Sequence, residues 1–409
     1  MELRPLRRNR DFVLLQTGQA LSTVGSESAT VAYSLLVLQL THSPAKAGLT
    51  AFARLVPWVL FALPAGVAVD RWNRKRLMIA SDVIRTGAVA ALGATAATGH
   101  LTFALVPGVA FVEGGMYVLF NIAEVGVVRS VVPIRQLPRA FATEQARLSS
   151  VYLAGPPLGG FLFGLGRSLP FLFDAVSYAF STGTLLAMRT PFQEERGRTE
   201  TSVLTEVREG LAWLWSRPFL RTCALLFAAG NFSWAALELT IIVAGRRQGL
   251  SSAAIGGLVG LVGALSLFGS LVAPRFQRRL TMRTVILTTE WLAVGVGAYL
   301  IWPNAFVLVA GSAPCIFLNP TLNAMIIGYR TALVPDRLQG RVTSVARSLA
   351  LLGLPLGPVV AGALLGAFST RATVVFLLVW FALLALITTV SRAIREAPDF
   401  DEVAEALAS

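Results

Sequence analysis

Long apolar runs separated by short polar and basic segments make up almost the whole chain. Each run is long enough to cross about 30 Å of hydrocarbon as a helix. The runs lack the alternation of apolar and polar positions that marks a strand, and helices satisfy their own backbone hydrogen bonds inside lipid. The pattern therefore predicts twelve transmembrane helices, near residues 12–40, 47–69, 77–98, 101–128, 145–166, 169–189, 219–243, 253–274, 284–302, 304–328, 344–368 and 372–394.

The composition agrees with a membrane protein and excludes several other classes. Of the 409 residues, 55% are hydrophobic and only 14% are charged, whereas soluble domains carry about 25% charged residues. This composition excludes a disordered chain and leaves little length for a catalytic domain outside the membrane. Cys223 and Cys315 lie in separate apolar runs, so we expect no disulfide framework and no cysteine metal site.

The positive charge is divided unequally between the two sides of the predicted membrane. The net charge is +13, but the basic residues stand in short clusters between apolar runs, which argues against nucleic-acid binding. If successive loops lie on alternate sides of the membrane, 28 of the 35 Lys and Arg residues are on the side of the N-terminus and five are on the other side. Because cytoplasmic loops carry such an excess, we expect both termini in the cytoplasm. We expect Met1–Arg10 to precede a retained first helix, because the apolar run is too long for a signal peptide.

Polar segments divide the predicted helices into two groups of six. We expect an N-terminal bundle at residues 1–189, a cytoplasmic linker at 190–218, a C-terminal bundle at 219–395 and an acidic cytoplasmic tail at 396–409. Leu204–Leu214 in the linker has the pattern of a helix that lies on the membrane surface.

The two halves share an internal repeat at a fixed offset of 202 residues. The matching positions are Pro133 with Pro335, Arg139 with Arg341, Gly155 and Pro156 with Gly357 and Pro358, and Gly160 with Gly362. Repeated six-helix halves are typical of secondary transporters, whose substrate binds between the repeats near the membrane midplane. The repeat therefore predicts two pseudo-symmetric bundles in an all-α membrane protein.

The segment after the second predicted helix resembles a signature of the major facilitator superfamily. It reads Gly-Val-Ala-Val-Asp-Arg-Trp-Asn-Arg-Lys-Arg over residues 66–76 and is similar to that superfamily's loop between helices two and three. The resemblance implies the major facilitator fold, in which this loop latches the two bundles in the outward-facing state. The residues of this expected conformational latch are Gly66, Asp70, Arg71, Arg74, Lys75, Asp82 and Arg85.

The fifth predicted helix contains a sequence, Gly155–Gly160, that resembles the antiporter motif of the same superfamily. Small residues let membrane helices approach closely, and proline bends them. With the stretches at 82–85 and 173–178, this motif makes the chain similar to the bacterial drug–proton antiporter branch, which includes macrolide and enterobactin exporters. The expected helix-bending residues are Gly155, Pro156, Gly159, Gly160, Gly357, Pro358 and Gly362.

Polar residues follow one face of the first, fourth, seventh and tenth predicted helices. In the first helix they recur every three or four residues from Gln16 to Ser34, which places them on one side. In the resembled fold these four helices line the central cavity. The expected cavity and substrate-binding residues are Gln19, Thr23, Tyr117, Asn121, Asn231, Trp234, Glu238, Asn319 and Asn323.

Three charged residues inside the predicted helices, Glu27, Glu113 and Arg54, are expected to couple transport to protons. A charge inside a membrane helix costs about 2.5–3.5 kcal/mol and so indicates function. Protonation of a carboxylate in a low-dielectric cavity removes a charge and shifts the balance between conformations. A purely structural Glu27–Arg54 pair is the alternative. Many drug–proton antiporters carry an arginine in the middle of helix four, where this chain has Glu113-Gly114-Gly115, so that arginine's role is not transferred.

Two further charge pairs are expected inside the predicted helices. Asp82 and Arg85 are three residues apart and therefore lie on one helical face. Asp174, near the outer end of the sixth helix, is expected to pair with Arg167 in the preceding loop.

The predicted function is export of a small amphiphilic compound, such as a drug, an antibiotic or a siderophore-like molecule, by alternating access in exchange for protons. Proton-coupled uptake is the alternative. An intramembrane enzyme is a remote third possibility, because His42 and His100 lie in outer loops and no HExxH motif is present. We expect no enzyme activity, metal, cofactor or nucleic-acid partner. We also expect a monomer in the bacterial cytoplasmic membrane, with the proton gradient as its energy source.

Overall fold

The computed structural model describes residues 6–190, 192 and 203–396. This part of the chain consists of α-helices and short 3-10 turns joined by brief loops, with no strand. The α-helices are α1 Arg10–Thr41, α2 Pro44–Arg71, α3 Arg74–Thr98, α4 Leu105–Val131, α5 Leu137–Leu165, α6 Leu169–Ala187, α7 Val203–Trp215, α8 Pro218–Arg247, α9 Ser252–Gln277, α10 Met282–Ala293, α11 Ala305–Leu333, α12 Gln339–Leu351, α13 Leu356–Ala367, α14 Thr370–Val390 and α15 Arg392–Arg395.

Eleven helical segments in the described residues are long and apolar enough to cross a membrane, α12 and α13 counting together as one. They coincide with eleven of the twelve predicted spans, so the predicted all-α membrane fold is confirmed. The remaining prediction, at 284–302, corresponds to α10 followed by a 3-10 turn at Val294–Leu300. Gly295 in this turn packs against the backbone of Gly311 in α11, where any side chain would collide. The close approach of the two backbones accompanies the break in the α-helix.

The chain divides into two compact units. The first comprises Met1–Gly197 with Gly249–Gly260, and the second comprises Arg198–Gln248 with Leu261–Ser409. In the first unit α1 packs against α2, α5 and α6, while α2 and α3 both pack on α4. Its core includes Phe12, Leu15, Phe120, Leu185 and Met188. In the second unit α8 packs against α12, α13 and α14 around a core that includes Leu220, Ile286, Leu322, Val342 and Ile394.

The internal repeat reappears in the boundaries of the helices. A 3-10 turn at Ile134–Gln136 precedes α5, and a 3-10 turn at Asp336–Leu338 precedes α12 at the same offset of 202 residues. The end of α5 at Leu165 corresponds in the same way to the end of α13 at Ala367. The sequence repeat is therefore also a structural repeat.

The second copy of this helix is interrupted where the first is continuous. Residues 352–355 form a turn between α12 and α13. Gly353 and Pro355 lie in this turn, and both residues weaken a helix, glycine through its backbone entropy and proline through its missing donor. Gly353 also lies directly against the backbone carbonyl of Ala228 in α8. The break thus lets α8 approach closely.

The predicted surface helix at 204–214 is confirmed as a helix, α7. Arg341, the repeat counterpart of Arg139, forms salt bridges with Glu206 and Glu209 of α7. The linker is thereby tied to the start of α12. Residues 191 and 193–202 of the linker and residues 397–409 of the acidic tail lie outside the described residues.

Three of the five basic residues assigned to the outer side bind the carbonyl groups of neighbouring helix ends. Carbonyls in the last turn of a helix lack partners within the helix, and a cation is favourable at that end. The bonds run from Arg167 to Ala96 in α3 (2.8 Å), from Arg247 to Leu365 in α13 (2.5 Å) and from Arg371 to Leu300 (2.6 Å). These exceptions to the charge bias therefore have a structural reason.

Candidate functional site

The carboxylate of Glu113, on α4, is the centre of a buried polar cluster in the first unit. Its Oε1 accepts hydrogen bonds from Nη2 of Arg54 at 3.0 Å and from the hydroxyl of Tyr178 at 3.1 Å. Its Oε2 accepts a hydrogen bond from the hydroxyl of Tyr33 at 2.8 Å. The side chain of Glu113 is only 2% exposed. Three donors, one of them a cation, therefore satisfy both oxygens of this carboxylate.

Arg54 reaches Glu113 because α2 and α4 cross closely. Gly114 lies directly against the backbone carbonyl of Arg54, where any side chain would collide. The guanidinium also donates to Thr30 and to the backbone carbonyl of Ser26 on α1. Arg54 therefore ties α1, α2 and α4 together. Its guanidinium lies beside Glu113 of α4, although α4 itself has no arginine at that position.

Glu27 lies on α1 at its contact with α5. Gly155 of α5 packs directly against Glu27, and Gly159 packs against the backbone of Ser28. Two of the three predicted coupling residues, Arg54 and Glu113, thus form a salt bridge, and the third, Glu27, is half-buried at the neighbouring helix contact. The structural alternative predicts that Arg54 pairs with Glu27. It does not predict the salt bridge with Glu113 that Arg54 forms.

A second buried pair, Asp82 and Arg85, lies within α3 and is confirmed as a local salt bridge. The side chain of Asp82 is 0% exposed and that of Arg85 is 2% exposed. The guanidinium of Arg85 lies over the ring of Tyr178, 4.1 Å from its centroid, and over Phe120 at 4.9 Å. Tyr178 therefore joins the two pairs, since its ring contacts Arg85 while its hydroxyl binds Glu113. An interbundle latch role for Asp82 and Arg85 stays a prediction.

A third buried pair joins α4 to α5. Nη2 of Arg147 lies 3.1 Å from Oε1 of Glu124, and Nη1 lies 3.4 Å from the hydroxyl of Thr23, one of the predicted cavity residues. The sequence pattern counts Arg147 with the cytoplasmic loops, because it predicts that the fifth helix starts near residue 145. Because α5 starts at Leu137, Arg147 belongs to the helix and is buried there.

The other predicted cavity residues of the first unit lie on α1 and α4. Gln19 is buried and donates to the hydroxyl of Ser181 at 3.0 Å. Tyr117 is half-buried, with Trp58 at a ring distance of 5.8 Å in an edge-to-face arrangement. Asn121 is half-buried on the same helix, one turn further on. An aromatic and amide surface of this kind suits ligands that are partly apolar.

The loop signature splits into buried and exposed residues. Arg74 is buried against Gly126 of α4, and Lys75 donates to the carbonyl of Met188 at the end of α6 (2.6 Å). Asp70 is 74% exposed and lies 3.8 Å from Arg74, and Arg71 is exposed as well. Arg74 and Lys75 therefore hold the first unit together. The expected latch between bundles stays a prediction, and no side-chain contact near Gly66 explains that glycine.

The predicted candidates of the second unit do not form a comparable charged cluster in the described residues. Asn231 donates to the carbonyl of Ala350 at 2.9 Å, and Asn323 donates to the side chain of Asn319 at 2.6 Å. Trp234 and Glu238 are half-buried on α8. Their role in substrate binding stays a prediction.

The helix-bending motif makes close backbone contacts in both copies. Gly160 lies against the backbone of Ser252 and Gly256 at the start of α9, a segment that groups with the first unit. Gly357 lies against the backbone of Phe232 in α8, and Pro358 and Gly362 are buried. Pro156 and Pro157 lie inside the continuous helix α5. Close packing explains the glycines, while a bending role of the motif stays a prediction.

Gly159→Ala is expected to destabilise the first unit, since the added methyl group would collide with the backbone of Ser28. Overpacking of this kind costs about 1–3 kcal/mol. The matched control is Gly164→Ala on the same helix, because nothing lies within 4 Å of that position. Thermal unfolding of the two purified variants in detergent checks the difference. Equal melting temperatures would show that the contact between α1 and α5 is not tight.

The sequence does not predict two members of the buried cluster around Glu113, Tyr33 and Tyr178, because tyrosine is ordinary in apolar runs. One signal was present in the sequence. A glycine directly after a buried acid, as in Glu113-Gly114, permits another helix to approach the acid closely.

The sequence matches known transporters over almost its full length. A profile of the transmembrane secretion effector family matches residues 2–409. The multidrug efflux pump Tap of Mycolicibacterium fortuitum is 28% identical over 394 residues, which cover 91% of this chain and 93% of that protein. Macrolide efflux protein A of Streptococcus pyogenes is 22% identical over 369 residues, covering 85% and 87%.

The fold is also that of solved transporters. The crystal structure of a bacterial homologue of the human lysosomal transporter Spinster, in its inward-facing and unoccupied conformation, superimposes with a TM-score of 0.75. The sequence identity is 16%, and the superposition covers 96% of this chain and 98% of that one. The resemblance to the drug-efflux branch and the predicted fold class are both confirmed. The chain therefore belongs to the transmembrane secretion effector family of the major facilitator superfamily.

Proposed function

We propose that this protein is a secondary active transporter that exports a small amphiphilic compound by alternating access in exchange for protons. It works as a monomer in the bacterial cytoplasmic membrane with both termini in the cytoplasm. It uses the proton gradient and no cofactor. Membership of the secretion effector family and similarity to proteins named as multidrug and macrolide efflux pumps support export rather than uptake or enzyme activity.

The observation that carries the proposal is the buried cluster around Glu113. Its carboxylate faces Arg54 and two tyrosine hydroxyls in the interior of the first unit. Buried charges are costly, so membrane proteins retain them where a change of charge drives a change of conformation. Arg54 also binds α1, so a change in its charge partner alters the contact among three helices. This geometry suits a coupling element better than a static core.

The proposed substrate class follows from the half-buried residues of the first unit. Tyr117 and Trp58 offer aromatic surface, and Asn121 offers an amide group. Such a surface binds bulky compounds by burial of apolar area and fixes their orientation with few hydrogen bonds. A macrolide and a lipophilic cation are therefore suitable probes.

Transport into inverted membrane vesicles tests the proposal. With an acid interior, vesicles that contain the protein are expected to accumulate a radiolabelled macrolide or ethidium, and an ionophore that collapses the gradient should abolish this accumulation. Vesicles without the protein are the control. Accumulation only with an alkaline interior would indicate proton-coupled uptake instead, and accumulation that ignores the gradient would contradict proton exchange.

A further inference from the structure

Asp174, on α6, differs from the other buried acids in the described part of the first unit. Asp82 and Glu124 are paired with arginines, and so is Glu113. Asp11 lacks an arginine partner, but its Oδ2 accepts hydrogen bonds from the backbone N–H groups of Arg189 and Thr190 and from the hydroxyl of Thr190. Asp174 is 0% exposed. It has no ion-pair partner among the described residues. The predicted pair with Arg167 is therefore wrong.

Arg167 binds the carbonyl of Ala96 in α3 instead. The physical reason is that the guanidinium caps a helix end, where unpaired carbonyls need donors. Oδ1 of Asp174 accepts one hydrogen bond, 3.3 Å long, from the hydroxyl of Ser177, which also donates to the backbone carbonyl of Asp174 at 2.7 Å. Oδ2 of Asp174 has no hydrogen-bond partner in the described part of the chain. The carboxyl group therefore accepts a single hydrogen bond, from a hydroxyl that also donates to the backbone carbonyl of Asp174.

The surroundings of Asp174 are tightly packed. Gly25 of α1 faces it so closely that a Cβ at this position would lie 2.6 Å from Oδ1. The nearby charged and titratable groups come from α1, α2, α3, α4 and α6. They are Tyr33 on α1, Arg54 on α2, Asp82 and Arg85 on α3, Glu113 on α4 and Tyr178 on α6 itself. Both arginines are already bound to other acids.

Among the groups around Asp174, two arginines face three acids, counting Asp174 itself. Arg54 compensates Glu113, and Arg85 compensates Asp82. An ionised and unpaired carboxylate in a dry interior is so costly that the group takes up a proton instead. A protonated carboxyl group at Asp174 carries no charge and therefore needs no cation.

We propose that Asp174 is a proton-binding site that holds the exchanged proton in this conformation, while Glu113 keeps its salt bridge with Arg54. This inference rests on the proposed proton exchange. When a change of conformation brings Asp174 into contact with water, its O–H bond breaks, the proton leaves to water and the carboxylate remains. The ionised form is stable only in that hydrated state, so proton release and the position of α6 against α1 are linked.

Infrared spectroscopy of the purified protein in lipid nanodiscs tests the protonation state without any transport assay. At neutral pH the wild type is expected to show the carbonyl stretch of a protonated carboxylic acid, with the small shift in deuterated water that marks an exchangeable proton. Asp174→Asn should lose this band, and Glu396→Gln, which changes an exposed acid in the same way, should keep it. An Asp174→Asn spectrum identical to that of the wild type in this region, or a wild type without the band, would overturn the inference.

Transport by the same variants tests the role of the proton. Asparagine is a neutral isostere of the protonated acid, so Asp174→Asn is expected to fold and to exchange labelled for unlabelled macrolide across the membrane. It should lose at least about tenfold of the gradient-driven accumulation, equivalent to about 1.4 kcal/mol of coupling. Glu396→Gln, which neutralises an exposed acid, is the matched control and should remain coupled.

The infrared and the transport experiments together distinguish a failure of the proposed proton exchange from a failure of the role of Asp174. A wild type that shows the Asp174 band but no gradient-driven transport contradicts the proposed proton exchange. An Asp174→Asn variant that accumulates macrolide as the wild type does contradicts the role of Asp174 as the site of the exchanged proton.

Discussion

Glu113→Gln is expected to lose most of the gradient-driven accumulation of macrolide in inverted vesicles, by about tenfold or more. A hydrogen bond to a charged group is worth about 1.5–3 kcal/mol, and each 1.4 kcal/mol is a factor of ten. Glu113 accepts from Arg54, Tyr178 and Tyr33. The amide that replaces it carries no charge for Arg54 and presents an NH2 group to one of these donors.

Two matched variants show whether the charge or the hydrogen bonds matter. Tyr33→Phe removes one donor to Oε2 of Glu113 and keeps the pair with Arg54, so we expect a smaller loss than in Glu113→Gln. Glu27→Gln removes the other predicted coupling acid, which lies at the contact of α1 with α5. Full gradient-driven accumulation in both Glu113→Gln and Glu27→Gln, at equal protein levels, would rule out these acids as coupling residues.

Arg85→Met is expected to lower the free energy of unfolding by about 3–5 kcal/mol, the usual cost of removing one partner of a buried ion pair. Its partner Asp82 is 0% exposed and would be left without a cation. The loss also removes the guanidinium from the ring of Tyr178, which lies 4.1 Å away. Denaturant unfolding of the purified protein in detergent measures the change.

The double variant Asp82→Asn with Arg85→Met should recover part of the lost stability, since it leaves no unpaired charge. The matched control is Arg392→Gln, because the pair of Arg392 with Glu396 is exposed on both sides and screened by water. That change should leave the unfolding curve unaltered. An Arg85→Met protein as stable as this control would mean that the buried pair makes no net contribution.

Sequence and structure agree most closely where a single physical rule acts along the chain. The repeat at an offset of 202 residues recurs in the 3-10 turns at Ile134–Gln136 and Asp336–Leu338, because the same proline precedes each turn. The local pair of Asp82 with Arg85 was predictable because three residues span less than one helical turn. Neither result required knowledge of which helices are neighbours.

Partners from different helices were not predictable in this way. Arg54 and Glu113 are 59 residues apart, and Arg147 and Glu124 are 23 apart. Which cation meets which acid depends on where glycines such as Gly114 and Gly126 allow two helices to approach. The same limit explains the error at Asp174, since proximity along the chain suggested Arg167 while packing directed that side chain to Ala96.

The all-α membrane fold, the repeat and the family resemblance follow from the sequence alone, because hydropathy, helical spacing and local motifs are properties of neighbouring residues. Which buried acids have a cation as partner depends on the folded chain. Arg54 and Arg85 each form a salt bridge with one acid, and Asp174 is enclosed without an ion-pair partner among the described residues. The reason is that the cost of a buried charge depends on atoms that the fold brings within a few ångströms from distant parts of the chain.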